Sequence, residues 1–226
     1  MKKSILTIVL LACFLIQIQA QSDYFPPRNN WEEKTPESQN LNPEKIKSAV
    51  DFALANEYEG SRDLRIAILE GFRREPYHYL AGKTKKRGGP TGIILKNGYI
   101  VAKWGDLNRV DMTFSVTKSY LSTVCGLAIQ EGLISNVQDK VGEYVWDGTF
   151  EGAHNSKITW DHLLTQSSDW TGQLFGMYDW ADRPPREGGI DNWKLRNLLT
   201  PGDNFEYNDV RVNVLAYSLL QVWRKP

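Results

Sequence analysis

The sequence has few of the residues that usually hold metal ions or crosslink a chain. Among its 226 residues there are two cysteines, and its three histidines (His78, His154 and His162) show no metal-ligand spacing. Loss of an amino-terminal segment containing Cys13 would leave Cys125 alone and exclude an intramolecular disulfide. We interpret Cys125 as a small buried apolar residue. The sequence therefore predicts no metal ion and no other cofactor.

An excess of charge of one sign is also missing. The chain has 27 basic and 27 acidic residues, so its net charge gives no reason to expect nucleic acid or a membrane surface as a partner. Hydrophobic residues make up 41% of the chain, which is enough for a large packed core. We expect a folded protein whose oligomeric state is left open.

A long apolar run stands near the amino terminus. Met1-Lys2-Lys3 precede the run from Ile5 to Ile18, a pattern typical of a secretory signal peptide that is cleaved after Ala20. An alternative takes Cys13 as the lipidated residue of a lipoprotein. We predict a signal peptide over residues 1–20 and a secreted or periplasmic mature chain.

Local signals predict several elements before residue 110. Residues 21–41 are polar and proline-containing, which indicates an extended arm. Asn42-Pro43 predicts the start of a helix that runs to about Asn56. Residues 57–86 give no clear assignment. The pair Asn97-Gly98, between two β-rich runs, predicts a hairpin over residues 91–105 that belongs to the sheet on which the next helix packs.

The stretch that follows residue 113 predicts a central helix. From Ser119 to Ile129 there is no charged residue, and apolar side chains recur at helical spacing, so we expect burial on nearly every side. Thr113 is the expected N-cap, and Gly132 is the expected stop.

Ser115 and Lys118 then share a face of the first helical turn. A serine hydroxyl becomes a useful nucleophile when a neighbour removes its proton, and a lysine does this when burial disfavours its ammonium form. A Ser-x-x-Lys match is short, however, and an ordinary solvated helix start is the alternative.

After Gly132 the pattern predicts a connector with a short helix over 137–145, and a helix over 158–164 capped by Thr159. His162 is interpreted as a helix-surface or hydrogen-bonding residue and not as a catalyst. Residues 167–182 predict an irregular aromatic loop, which is either a substrate wall that includes Trp170 or a cover for the core. A short helix over 192–199 and a final helix to about Trp223 complete the chain.

Four segments together resemble the serine β-lactamase and penicillin-binding-protein superfamily, in its class C-like branch. They are Phe114-Ser115-Val116-Thr117-Lys118-Ser119, residues 132–145, residues 158–168 and the segment 201–209, which contains Tyr207-Asn208-Asp209. The resemblance implies an α+β, β-lactamase/DD-peptidase-like fold, with an antiparallel sheet packed by helices and an all-helical region, over residues 42–226.

The resemblance also implies roles for individual residues. Ser115 would be the nucleophile that becomes acylated, Lys118 its proton partner and Tyr207 the general base, while the Ser115 backbone N–H would supply half of an oxyanion hole. Asp209, where the family usually has Asn, is a substrate-binding candidate together with Trp170. The implied activity is hydrolysis of a small ester, amide, peptide or β-lactam.

Two departures from the family pattern bear on this expectation. Asp209 offers a carboxylate where the family has an amide, and residues 208–226 contain no Lys-Thr-Gly or His-x-Gly strand motif. We therefore expect the sequence to be the amino-terminal part of a longer protein, with the last strands missing and little activity by itself. The alternative function is an inactive module that binds cell-wall peptide or a protein partner.

Overall fold

The computed structural model describes residues 24–80, 82–184 and 188–224. Over these ranges the chain is mixed in helix and strand, and its strands form two small antiparallel sheets. The predicted α+β class is confirmed at this level. The predicted signal peptide and Cys13 lie outside the described residues. Within the described ranges, no helix has both the length and the apolar character that a membrane span requires.

The chain divides into two compact units, and the described residues of the first are 24–59 and 88–110. Helix α1 (Pro43–Ala55) begins after Asn42, whose side chain accepts a hydrogen bond from the Lys45 N–H at 3.0 Å. This cap satisfies one of the N–H groups that a helix start leaves unpaired, and Pro43 occupies the first helical position, where no N–H is needed. The helix predicted after Asn42 is confirmed.

The first unit also contains the predicted hairpin. Strands β1 (Gly92–Lys96) and β2 (Tyr99–Trp104) pair antiparallel around Asn97 and Gly98. These two residues have φ of +51° and +83°, the left-handed values that a two-residue turn of this kind requires. The Asn-Gly signal therefore predicted both the turn and the pairing.

The arm before α1 is tied to this hairpin. The Ile100 N–H donates to the Glu32 carbonyl, and the Ile100 carbonyl accepts from the Lys34 N–H, each at 2.9 Å. A 3₁₀ turn at Glu37–Gln39 interrupts the extended course that the sequence predicts. The arm is extended only in part.

The second unit, with described residues from 60–87 and 111–224, carries most of the helices. They are α2 (Leu64–Phe72), α3 (Thr117–Gln130), α4 (Gly152–Asn155), α5 (Trp160–Leu164), α6 (Gly189–Lys194) and α7 (Asp209–Trp223). Strands β3 (Gln173–Leu174) and β4 (Met177–Tyr178) form a short hairpin between α5 and α6.

Helices α3, α5 and α7 pack around the core of this unit. Burying one large apolar side chain stabilises a fold by about 1.5–3 kcal/mol, so several such residues fix the helices against one another. Fully buried examples are Ala128, Ile134, Trp160, Leu163, Val214 and Leu219. The first turns of α3 and α7, which carry the predicted site residues, are thereby held side by side.

Helix α3 ends as predicted but is buried less than predicted. Gly132 has φ of +72°, and the Leu133 N–H returns to the Ala128 carbonyl at 2.9 Å, which closes the helix end. Only Cys125 and Ala128 of α3 are fully buried, whereas Tyr120 is 62% exposed. An apolar composition favours burial of the side chains. Within the described residues, however, only one face of α3 packs against the core.

Helix α5 shows why His162 follows Thr159 by three positions. The Thr159 hydroxyl accepts from the His162 N–H at 3.3 Å, and the Thr159 N–H donates to His162 Nδ1 at 3.2 Å. Each residue satisfies an unpaired group of the other in a capping box. The hydrogen-bonding interpretation of His162 is confirmed.

Other sequence predictions need correction. Residues 57–86, left unassigned, contain α2. The helix predicted over 137–145 is a single 3₁₀ turn at Val141–Glu143, and the irregular loop 167–182 contains β3 and β4. The helix predicted over 192–199 is α6, which begins and ends earlier. Each of these elements is short, so the periodicity of apolar residues within it gives little indication of its type or its ends.

Candidate active site

Ser115 lies in a tight turn at the entrance to α3. A 3₁₀ turn spans Phe114–Val116 and leads directly into the helix. Phe114 has φ of +47°, which is uncommon for an aromatic residue and turns the chain sharply just before Ser115. Thr113 precedes the turn as predicted, but its hydroxyl contacts Thr117 Oγ1 and caps no backbone N–H.

Lys118 stands three residues further on, in the first turn of α3. Its Nζ donates to Ser115 Oγ at 3.2 Å, as the shared helical face predicts. Its side chain is 22% exposed. The serine hydroxyl therefore has a cationic neighbour before any other element is considered.

Tyr207 reaches the same hydroxyl from a segment distant in sequence. Its Oη lies 2.5 Å from Ser115 Oγ, and either oxygen can be the donor. Gln166 fixes the chain on both sides of the tyrosine: its carbonyl accepts from the Glu206 N–H at 2.9 Å and its Oε1 from the Asn208 N–H at 3.0 Å. The structure thus brings Ser115, Lys118 and Tyr207 together in one cluster.

Asp209, the first residue of α7, completes the cluster with a negative charge. Its Oδ1 accepts from Lys118 Nζ at 2.5 Å, and its Oδ2 accepts from Arg183 Nη2 at 2.8 Å. The carboxylate is thus engaged by two cations of the protein.

The pKa of Lys118 moves opposite to the sequence expectation. Burial by itself lowers this pKa, but the hydrogen bond and charge of Asp209, with a contribution from Tyr207, outweigh burial and raise it. Lys118 is therefore held as an ammonium group. Burial does disfavour the ammonium form, as expected, but the Asp209 carboxylate more than offsets it, so the expected net direction is wrong.

The pKa of Tyr207 is held below its ordinary value. Burial acts to raise it, whereas hydrogen bonds from Lys118 and with Ser115, and the charge of Lys118, lower it. Asp209 opposes this effect through its negative charge. Of the two groups beside the serine hydroxyl, the phenol is the one whose deprotonated form the surroundings favour.

A cavity of about 270 Å³ opens beside Ser115 and Lys118. Its walls combine the site residues with apolar side chains, which is the usual composition of a small-molecule pocket. The apolar part is Phe72, Phe114, Leu121, Val212 and Ala216. Ser115 itself is exposed, so the cluster opens to solvent.

Trp170 does not lie at this cavity. It is 2% exposed, belongs to the hydrophobic core, and donates from Nε1 to the Thr149 carbonyl at 2.9 Å. The structure therefore supports the core-covering interpretation of this part of the aromatic loop and assigns Trp170 no contact with the site.

A buried ion-pair network lies behind the site, and we call it the Arg211 network. Arg211 is 2% exposed and donates to Asp169 at 2.6 Å, to Glu206 at 2.7 Å and to the Trp170 carbonyl at 3.0 Å. Arg196 pairs with Asp169 and Asp179 in the same network. Because Glu206 precedes Tyr207, the network anchors the segment that carries the phenol.

Sequence reasoning missed Arg183, Asp182, Glu75 and Gln166. The Arg183 guanidinium binds Asp182 and Asp209, and the backbone N–H of Arg183 donates to Glu75 Oε1 at 3.2 Å. These residues carry no motif spacing, because they meet only through the tertiary fold. The adjacent charged pair Asp182-Arg183, at the end of the aromatic loop, was an available signal.

A scan against models of known protein families finds no match, and a search of curated proteins finds no significant match. Among the residues that the structure describes, no three side chains of His, Cys, Asp or Glu are grouped to hold a metal ion. Support for a function therefore comes from the geometry of the site.

Proposed function

We propose that this chain carries the catalytic centre of a serine hydrolase that acts on small esters or amides, β-lactams included. The observation that carries the proposal is the 2.5 Å contact between Ser115 Oγ and Tyr207 Oη, with Lys118 Nζ 3.2 Å from the same serine oxygen. A hydroxyl in contact with a base, and a base held by a third group, is the general arrangement of an activated nucleophile.

The proposed reaction begins with proton transfer from Ser115 to Tyr207. Ser115 Oγ attacks the carbonyl carbon of the substrate while the Tyr207 phenolate accepts the hydroxyl proton, and the carbonyl oxygen becomes an oxyanion. Ser115 lies in the opening turn of a helical segment, where N–H groups have no acceptor within the helix, so its N–H is available to that oxyanion.

The acyl-enzyme then forms and breaks down. As the oxyanion collapses, the bond to the leaving group breaks, and Tyr207 returns its proton to the leaving oxygen or nitrogen. A water molecule attacks the acyl-Ser115 ester and gives a proton to Tyr207, which passes it back to Ser115 Oγ. Lys118, held as ammonium by Asp209, supplies positive charge beside the phenolate in each step.

The finer fold assignment belongs to the same proposal. A Ser-x-x-Lys turn at the start of a helix, next to a tyrosine that precedes another helix, supports a β-lactamase/penicillin-binding-protein-like fold of the class C-like kind. Secretion through residues 1–20 is likewise proposed from the sequence pattern.

One observation favours a second candidate, an inactive module that binds peptide or protein. Asp209 pairs with Lys118, and Ser115 is open to solvent, so the cluster also resembles a polar surface patch. An inactive module would retain the cavity beside Ser115 but form no covalent adduct. Covalent chemistry therefore separates the two candidates.

The test is intact-mass spectrometry after incubation with a fluorophosphonate. Ser115 Oγ displaces fluoride from such a reagent, so the parent should gain the mass of one phosphonyl group, and Ser115→Ala should gain none. Ser122→Ala is the matched control, since Ser122 is exposed on the same helix and its hydroxyl donates to the Ser119 carbonyl. Equal labelling of the parent and Ser115→Ala would refute the proposal.

A further inference from the structure

Two cations lie against the ring of Tyr207. Lys118 Nζ is 4.7 Å from the ring centroid, and the Arg183 guanidinium carbon is 4.6 Å from it. A cation near an aromatic ring is attracted to its electrons, and the attraction grows when the ring carries the delocalised charge of a phenolate. Arg183 therefore interacts with the proposed base although no hydrogen bond joins the two in the described contacts.

Arg183 is held in place from several sides. Its Nη1 donates to both carboxylate oxygens of Asp182, at 2.7 and 2.6 Å, and its Nη2 donates to Asp209 at 2.8 Å. Its backbone has φ of +47°, uncommon for arginine, and its N–H donates to Glu75 Oε1. A residue held in such a conformation by surrounding contacts is a reason to look for a function.

Asp182 joins this arginine to the start of α7. Its Oδ2 accepts from the Asp209 N–H at 2.6 Å, as well as from Arg183 Nη1. The guanidinium is therefore tied to the same helix start that follows Tyr207. The contacts with Asp182 and Asp209 therefore hold the guanidinium in position relative to the phenol.

Charged side chains face Tyr207 from three elements, and they show how Arg183 affects ionisation of the phenol. Lys118 faces it from α3, Asp209 from α7, and Arg183 from the segment before residue 184, with Asp182 and Glu75 behind Arg183. Asp209 opposes ionisation of the phenol. Arg183 binds that carboxylate and contacts the ring, so both of its contacts favour the phenolate.

We propose that Arg183 is a positioning residue for the transfer of the Ser115 proton: its guanidinium stabilises the phenolate form of Tyr207 and offsets the charge of Asp209. The inference rests on the proposed function, in which Tyr207 accepts that proton. It adds a residue outside the four resembling segments.

The test is the pH dependence of fluorophosphonate labelling, measured as a rate by intact mass. With the parent, the rate should rise with pH along an acidic limb set by Tyr207. Arg183→Gln should move the midpoint of this limb upward by about one pH unit, which means about tenfold slower labelling below the midpoint. Arg183→Lys, which keeps the charge but not the paired contacts, should move it less.

Lys194→Gln is the matched control. Lys194 lies 4.7 Å over the ring of Trp180, a similar cation–ring contact away from Tyr207, so its loss should leave the limb unchanged. An unchanged limb in a folded Arg183→Gln would overturn the inference, and so would an equal shift in Lys194→Gln.

A second pair of variants covers the case in which Arg183→Gln fails to fold because Asp182 and Asp209 lose a partner. Asp182→Asn/Asp209→Asn, with and without Arg183→Gln, differ only in the cation, with no carboxylate left unpaired at positions 182 and 209. The variant without the cation should have the higher limb midpoint, and equal midpoints would overturn the inference. If the parent labels no better than Ser115→Ala, the proposed function is refuted. If the parent labels strongly but loss of Arg183 leaves the midpoint of the acidic limb unchanged, only the role of Arg183 is refuted.

Discussion

Two groups of ionised side chains lie near Tyr207, and they differ in burial. In the Arg211 network, Arg211 and Asp169 are 2% and 6% exposed, and the guanidinium donates to two carboxylates and a carbonyl. In the site cluster, Lys118 and Asp209 are 22% and 41% exposed and lie beside the exposed Ser115 and a cavity.

The difference in burial separates two physical roles. Arg211, Asp169 and Asp179 are desolvated and paired, so loss of Arg211 takes a cation from buried carboxylates and acts on folding. Charges in the site cluster remain partly solvated, so their pairing contributes little to stability and acts on the protonation of their neighbours. The Arg211 network holds the chain around Tyr207. The site cluster determines the protonation state of Tyr207 on which the proposed reaction depends.

The largest expected effect comes from the phenol itself. Tyr207→Phe removes the proposed base but keeps the ring, so the labelling rate of Ser115 should fall by about 10²–10⁴-fold. The unfolding midpoint in urea should change little, because the lost contact is a partly exposed hydrogen bond. Labelling of Tyr207→Phe at the parent rate would remove Tyr207 from the mechanism.

For the Arg211 network we expect a substitution to change the free energy of unfolding. Arg211→Met removes the buried guanidinium that Asp169 and Glu206 share and leaves Arg196 as the remaining cation at Asp169, so the free energy of unfolding should fall by up to about 3–5 kcal/mol. Urea denaturation measures it. Lys194→Met removes an exposed ion pair with Asp191 and should match the parent in unfolding. If both variants unfold alike, the distinction between the two groups is wrong.

The smallest effect is expected at Asp209. Contacts with Lys118 and Arg183 outweigh burial and hold the pKa of Asp209 below its ordinary value, so its charge stabilises the fold above pH 4 and this contribution is lost as the pH falls through the folded pKa. Asp209→Asn should therefore lower the free energy of unfolding at pH 7 by less than about 1 kcal/mol, because the side chain is partly exposed.

Two readouts check this variant. The stability difference between Asp209→Asn and the parent should shrink in urea titrations as the pH falls below the ordinary Asp pKa of about 3.9. The acidic limb of labelling should move to lower pH, because the charge that opposes Tyr207 ionisation is gone. A limb that moves to higher pH would show that Asp209 assists the phenolate.

The sequence correctly predicted helix starts, a hairpin turn and a helix end, because neighbouring residues determine these features. Asn42 and Thr159 predicted two helix starts, Asn97-Gly98 predicted a hairpin, and Gly132 predicted the end of α3. Each signal reports a backbone conformation or a cap that neighbouring residues satisfy. Such features need no knowledge of distant segments.

Features that depend on tertiary partners were missed or wrong. The apolar run of α3 predicted burial on nearly every side, yet Tyr120 is exposed. The state of Lys118 was predicted from burial, whereas Asp209, 91 residues away, decides it. The place of Arg183 at the site was not predicted, since two of its partners, Glu75 and Asp209, lie after α2 and in α7.

The most direct measurement is peptide mapping of the chain after fluorophosphonate treatment. Trypsin cuts after Arg109 and Lys118, so Ser115 falls in the peptide 110–118, while Ser119 and Ser122 fall in the next. The account predicts one phosphonyl group per chain, located on Ser115 in that peptide. A label on any other peptide, or none on the folded chain, would contradict the claim that Tyr207 and Lys118 activate Ser115.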